Sequence, residues 1–154
     1  MRTPIAATLA TTLLLALSSL SAIAQAEMIT KRSAHSVAVT VDKLEIAAKE
    51  KGAAIIARVN HAAAAAKVDM PLRPTEVLLF GNPKLGTPLM QSNQQAGFDL
   101  PLKIVAWEDA GGAVWVGYTA PADLAAQYAI KDRAETVQKM TSVLEQITTQ
   151  ATKP

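Results

Sequence analysis

The chain has no cysteine, so neither a disulfide nor a thiolate metal ligand can contribute to its fold or chemistry. Aromatic residues make up only 4% of it, which leaves the core to aliphatic side chains. Charge of one sign is lacking too. Fifteen basic against 13 acidic residues argue against the clustered basic face that nucleic acid demands, and give no reason to expect a strongly charged substrate. No Gly-x-Ser-x-Gly elbow, Ser-x-x-Lys pair or His-Glu-x-x-His run occurs, so the common hydrolase templates fail.

One long apolar run is present. Residues 5–20 are nearly uncharged, follow the single positive charge of Arg2, and precede Ala24-Gln25-Ala26. That is the layout of a secretory signal peptide over residues 1–26, with cleavage after Ala24 as the second choice. The run falls short of the ~20 residues a spanning helix needs, and no later segment reaches that length, so no stable membrane span is expected after processing. The expected address is the periplasm or full secretion. The remaining chain suits one domain.

After a polar, flexible arm over 27–35, residues 36–41 alternate polar or small with β-branched side chains, which predicts a strand. Helical spacing from Asp42 through Leu44, Ala47, Ala48 and Lys51 ends at Gly52, placed as a C′ residue. Residues 54–59 read as a strand, Asn60 as the cap of an alanine-rich helix over 62–67, and 75–80 as a further strand. Gly81-Asn82-Pro83-Lys84-Leu85-Gly86-Thr87-Pro88 then reads as a rigid loop in which Gly86 supplies a positive φ, with Pro83 or Pro88 opening a helix that ends near Gly97. Residues 102–108 and 114–118 flank the turn Asp109-Ala110-Gly111-Gly112, the clearest hairpin in the chain. Pro121 starts a short helix. Val137, Met140, Leu144 and Ile147 stripe a last amphipathic one within the C-terminal helix and tail, 131–154. The sum is a single α+β domain: a mixed or antiparallel sheet of about five strands with helices packed on it.

Val59-Asn60-His61-Ala62, Leu72-Arg73-Pro74-Thr75, Phe80-Gly81-Asn82-Pro83-x-x-Gly86-Thr87-Pro88-Leu89-Met90, Asp99-Leu100-Pro101-Leu102-Lys103 and Trp107-Glu108-Asp109 together resemble the bacterial family called domain of unknown function 302. The resemblance covers 36–130 and implies a small α+β domain that forms a homodimer and has no assigned activity. Asn60 stands where that family usually has Asp, Asp69 where it commonly has Gly, and the last helix falls largely outside the match.

Several residues invite chemistry. Gly81-x-x-x-x-Gly86-Thr87 is a near miss for a phosphate loop, because Thr87 stands where the lysine should and two prolines remove N–H donors. The remaining amides and Lys84 could capture an anion. His61, at a strand-to-helix junction, is the natural proton handler, although such a histidine is more often a capping group. His61, Met70 and Met90 could offer a copper site, but other soft ligands are scarce, and neither a metal nor a cofactor is expected. The reading favoured is a periplasmic module that binds a small molecule or a periplasmic protein partner through Asn82, Lys84, Gly86, Thr87, Met90 and Lys103. The alternative is an enzyme with His61 as general base, Asp99 or Glu108 as second proton carrier, and Lys84 or Lys103 as electrostatic stabiliser. A purely structural interaction domain is the third. Convergence of His61, Asn82, Thr87 and Asp99 on one pocket would favour ligand or enzyme. For export, N-terminal sequencing of protein recovered from cells should begin at Glu27; intact Met1 in a soluble cytoplasmic fraction would contradict it.

Overall fold

A computed structural model describes residues 28–154; the expected export segment, 1–26, lies outside them. The elements run β1 (Met28–Ser33), α1 (Val37–Glu50), β2 (Ala54–Asn60), α2 (His61–Ala66), β3 (Thr75–Gly81), α3 (Pro83–Ser92), a 3₁₀ turn (Gln94–Phe98), β4 (Leu102–Glu108), β5 (Val114–Thr119), α4 (Pro121–Gln127) and α5 (Ala134–Thr152). The five strands form one antiparallel sheet in the order β1-β5-β4-β3-β2. The expected α+β single domain is what the structure shows.

Two segments differ from the sequence reading at the N-terminus. Residues 36–41, expected as a strand, open α1: Val37, Thr40, Val41, Leu44, Ala47 and Ala48 are its buried residues, a 3.6-residue period that the alternating Val37, Val39 and Val41 conceal. Ser36 caps it by accepting from the Val39 N–H. The expected arm is instead the edge strand β1, paired with β5 from Met28↔Thr119 to Ser33↔Val114. Its polar look comes from Lys31 and Arg32, which suit a sheet edge. Buried Ser33 and Thr40 share a hydrogen bond of 2.7 Å that ties β1 to α1.

Alternation along the strands separates two faces. Leu78, Phe80, Ile104, Ala106, Val116 and Tyr118 point toward α1 and α5 and are buried with Val41, Leu44, Leu144 and Ile147 in the main hydrophobic cluster. A second cluster gathers Leu89, Ala96, Leu124, Ala125, Ile130 and Met140 from α3, the 3₁₀ turn, α4 and α5. α5 reaches both, through Met140 in one and Leu144, Ile147 and Ala151 in the other. It is therefore part of the core and no appendage. The opposite sheet face carries half-buried Val77, Leu79, Val105, Trp107 and Trp115, with Val59 exposed opposite Val77. Gly117 permits that face to close on itself, because a side chain there would strike the Trp107 ring and the Met28 sulfur.

Gly52 behaves as expected. Its φ of +75° lets the Gly52 and Ala53 N–H groups return to the carbonyls of Lys49 and Ala48, which ends α1 and sets Lys51 at the turn. Asp69 also holds a positive φ, 56°, a conformation that aspartate tolerates better than most residues. Gly86 does not. It lies inside α3, which Asn82 caps and Pro83 opens, so the segment expected as a rigid loop is a helix that stops at Asn93. A Cβ at Gly86 would meet only Leu100 Cδ1, at 3.7 Å. Gly86→Ala should therefore be neutral or raise stability by up to ~1 kcal/mol, read from the denaturant midpoint; a loss would contradict the helical assignment.

Candidate functional site

Where α3 leaves the end of β3, a cavity of about 400 Å³ opens between the two hydrophobic clusters. Its walls are apolar, with Phe80 and Leu102 from the sheet, Leu85 and Met90 from α3, and Met140 and Val143 from α5. The cis Leu100–Pro101 segment closes one side. Gly81 lets it come that near, since a Cβ there would lie 3.3 Å from Pro101 Cβ. Polar groups are few. Lys51, Asn82 and Thr87 line the mouth, and Lys51 is the only charged residue among them.

Four of the six residues assigned to binding from sequence therefore meet here, namely Asn82, Gly86, Thr87 and Met90. Asn82 is nevertheless committed to the fold: its Oδ1 accepts from the Lys84 N–H at 2.9 Å and its Nδ2 donates to the Gly52 carbonyl at 3.1 Å. Lys84 and Lys103 do not line the cavity. Sequence reasoning missed Lys51 and the α5 wall. The charge of Lys51 beside the helix-ending Gly52 was the available signal.

The proposed catalytic group does not assemble. His61 opens α2, exposed, at the far end of β2. Asn60 pairs with Glu76, whereas the cavity end is marked by Ala54 opposite Gly81. Six residues of strand separate the two ends by roughly 20 Å. Asp99 is held by Tyr128 Oη at 2.6 Å, Gln127 Nε2 at 3.2 Å and Lys103 Nζ at 3.3 Å. It locks the 3₁₀ turn to the end of α4, at the opposite end of the sheet from His61. The Tyr128 hydroxyl first, with Lys103, holds its carboxyl below the ordinary value of 3.8.

Glu108 lines a different cavity, of about 290 Å³, with Asn60, Glu76 and the start of α1. There, buried Glu76 accepts from Arg58 Nε at 2.6 Å and from Asn60 Nδ2 at 3.1 Å, and Arg58 continues to the Asp42 carboxylate. The Glu76 hydrogen bond is the main cause that drives the Arg58 pKa above its ordinary value. An amide at position 60 is what this arrangement needs, because an ionised aspartate would face Glu76 with a like charge. Asn60 also caps α2 through the Ala63 N–H at 2.7 Å. Among the described residues no three His, Asp or Glu side chains are placed to hold a metal ion together.

Because the folded Asp99 carboxyl titrates below 3.8, it adds stability above that pH and loses it as pH falls through the folded value. Tyr128→Phe removes the largest cause. Urea unfolding should show the variant less stable than the wild type at pH 7, with the gap narrowing below pH ~4; a gap constant across that range would contradict the role given to the hydroxyl.

Comparisons with known proteins address the fold and the family. A solved structure of an uncharacterized conserved protein DUF302 from Bacillus stearothermophilus superposes with a TM-score of 0.73 at 18% identity, covering 80% of this chain and 97% of that one. It shows the same fold. Fluoride-specific ion channel FluC 1 of Brucella suis is 40% identical over 111 residues, 72% of this chain and 44% of the relative. The FluC 1 protein of Brucella abortus matches equally, over 41% of its length. The chain thus spans less than half of these relatives. The family model for domain of unknown function DUF302 matches residues 29–147, nearly the whole described sheet and most of α5, and the chain belongs to that family.

Proposed function

We propose that this protein is an exported binding module that holds a small apolar molecule in the cavity between α3, α5 and the β2-β3-β4 end of the sheet. One observation carries the reading: about 400 Å³ lined almost wholly by apolar side chains, with three polar residues at the mouth. That size and chemistry suit a small-molecule site, where apolar walls supply affinity and a few polar groups fix orientation. His61 and Asp99 have no part in it, so no general-base reaction is assigned.

The outer sheet face supports a homodimer beside this site. Val77, Leu79, Val105, Trp107 and Trp115 form an apolar surface that a second copy could cover, and Val59, opposite Val77, extends it. The relatives favour a second reading, in which the partner is a membrane protein. They carry a region like this one within longer chains named as fluoride channels. No helix among the described residues is long and apolar enough to cross a membrane, so we place channel activity in the unmatched part of those chains.

The cavity reading is tested with N-phenyl-1-naphthylamine, an uncharged apolar fluorophore. Wild-type protein should enhance its emission with saturation at one site per chain. Thr87 is exposed at the mouth, so Thr87→Trp should abolish the enhancement while changing stability by less than ~0.5 kcal/mol. Absence of enhancement, or equal enhancement by the variant, would contradict the assignment.

A further inference from the structure

Resting on that reading, we infer that the ligand is an amphiphile with an apolar body and a single anionic head, held by Lys51 at the cavity mouth. The walls exclude a polar body, because a sugar or nucleotide placed against Phe80, Leu85, Leu100 and Met140 would leave its hydroxyls and phosphates without partners. The mouth decides the head. Asn82 has both amide groups engaged. The first-turn amides of α3 are also taken, since Lys84 donates to Asn82 Oδ1 and Leu85 and Gly86 donate to the Asn82 carbonyl. What remains is the Thr87 hydroxyl and the Lys51 ammonium. No acidic residue lines the cavity, and among the described residues Lys51 makes no ion pair.

The position of Lys51 is fixed by backbone geometry. Its own N–H closes on the Ala47 and Ala48 carbonyls, and the positive φ of Gly52 turns the chain immediately afterwards into Ala53 and Ala54, both on the cavity wall. The lysine is therefore anchored where α1 ends, on the rim of a cavity whose lining holds no other charged residue. A carboxylate, sulfate or phosphate head on an aliphatic or aromatic body meets both requirements. A cationic head meets only one. Because the lysine is exposed, the preference it confers is modest, about three- to fivefold.

Calorimetric titration with dodecanoate, dodecanol and dodecyltrimethylammonium tests this on purified protein. Dodecanoate should bind about three- to fivefold tighter than dodecanol, and the ammonium compound weaker than both. Lys51→Gln should bring dodecanoate and dodecanol together without moving the denaturant midpoint, Lys51→Glu should reverse the order of the two charged probes, and 1 M salt should erase the wild-type preference. Equal binding of dodecanoate and dodecanol to the wild type would overturn the anionic head and leave the apolar cavity standing. No binding of any probe would overturn both. Retention on phosphatidylglycerol vesicles without binding of dodecanoate would assign the anion to a bilayer surface and overturn the proposal of a free amphiphile.

Discussion

The fold depends on one helix that serves two cores. α5 contributes Met140 to the cluster built with α3 and α4, and Leu144, Ile147 and Ala151 to the cluster against the sheet. α5 passes from one cluster to the other beside the end of β3 and the start of β4. The space left at the seam is the cavity, walled by Met140 and Val143 on the helix side and by Phe80 and Leu102 on the sheet side. An apolar site is thus a consequence of how this sheet is covered.

The two ends of the sheet differ in chemistry. At the β2-β3 end far from the cavity, Arg58 joins buried Glu76 to Asp42 on α1, with Asn60 donating to the remaining carboxylate oxygen. Removing one member of such a network leaves an uncompensated buried charge, so it fixes where α1 lies across the strands. At the cavity end, Asn82 joins β3, α3 and the Gly52 turn. Polar specificity at one end holds α1 in register; the other end presents apolar surface.

Much of this was legible in the residues, and the failures have physical causes. Period-two alternation marks β5, and runs of apolar, β-prone residues bounded by turn signals mark β3 and β4. The same pattern misled at Val37, Val39 and Val41, where β-branched residues occupy the start of a helix whose cap, Ser36, and whose burial on one side outweigh their strand propensity. Gly86 and Pro88 looked like loop punctuation, yet an Asn cap and a proline at the first helical position had already committed the segment to α3. For the site, the Asn82 to Met90 segment was found because it is locally unusual. Lys51, Met140 and Val143 were not, because their convergence depends on tertiary packing that leaves no local pattern. Asp99 and His61 stand out as polar residues inside motifs; the structure places one in a hydrogen-bonded lock and the other at an exposed helix start, at opposite ends of the sheet.

The central claim is that the seam between the two clusters is an open apolar site. Diffraction from crystals pressurised with xenon tests it most directly, since xenon enters dry apolar cavities and scatters strongly. The account predicts xenon bound among Phe80, Leu85, Leu100 and Met140. Crystals that bind xenon elsewhere and leave this seam empty, with the side chains closed across it, would contradict it.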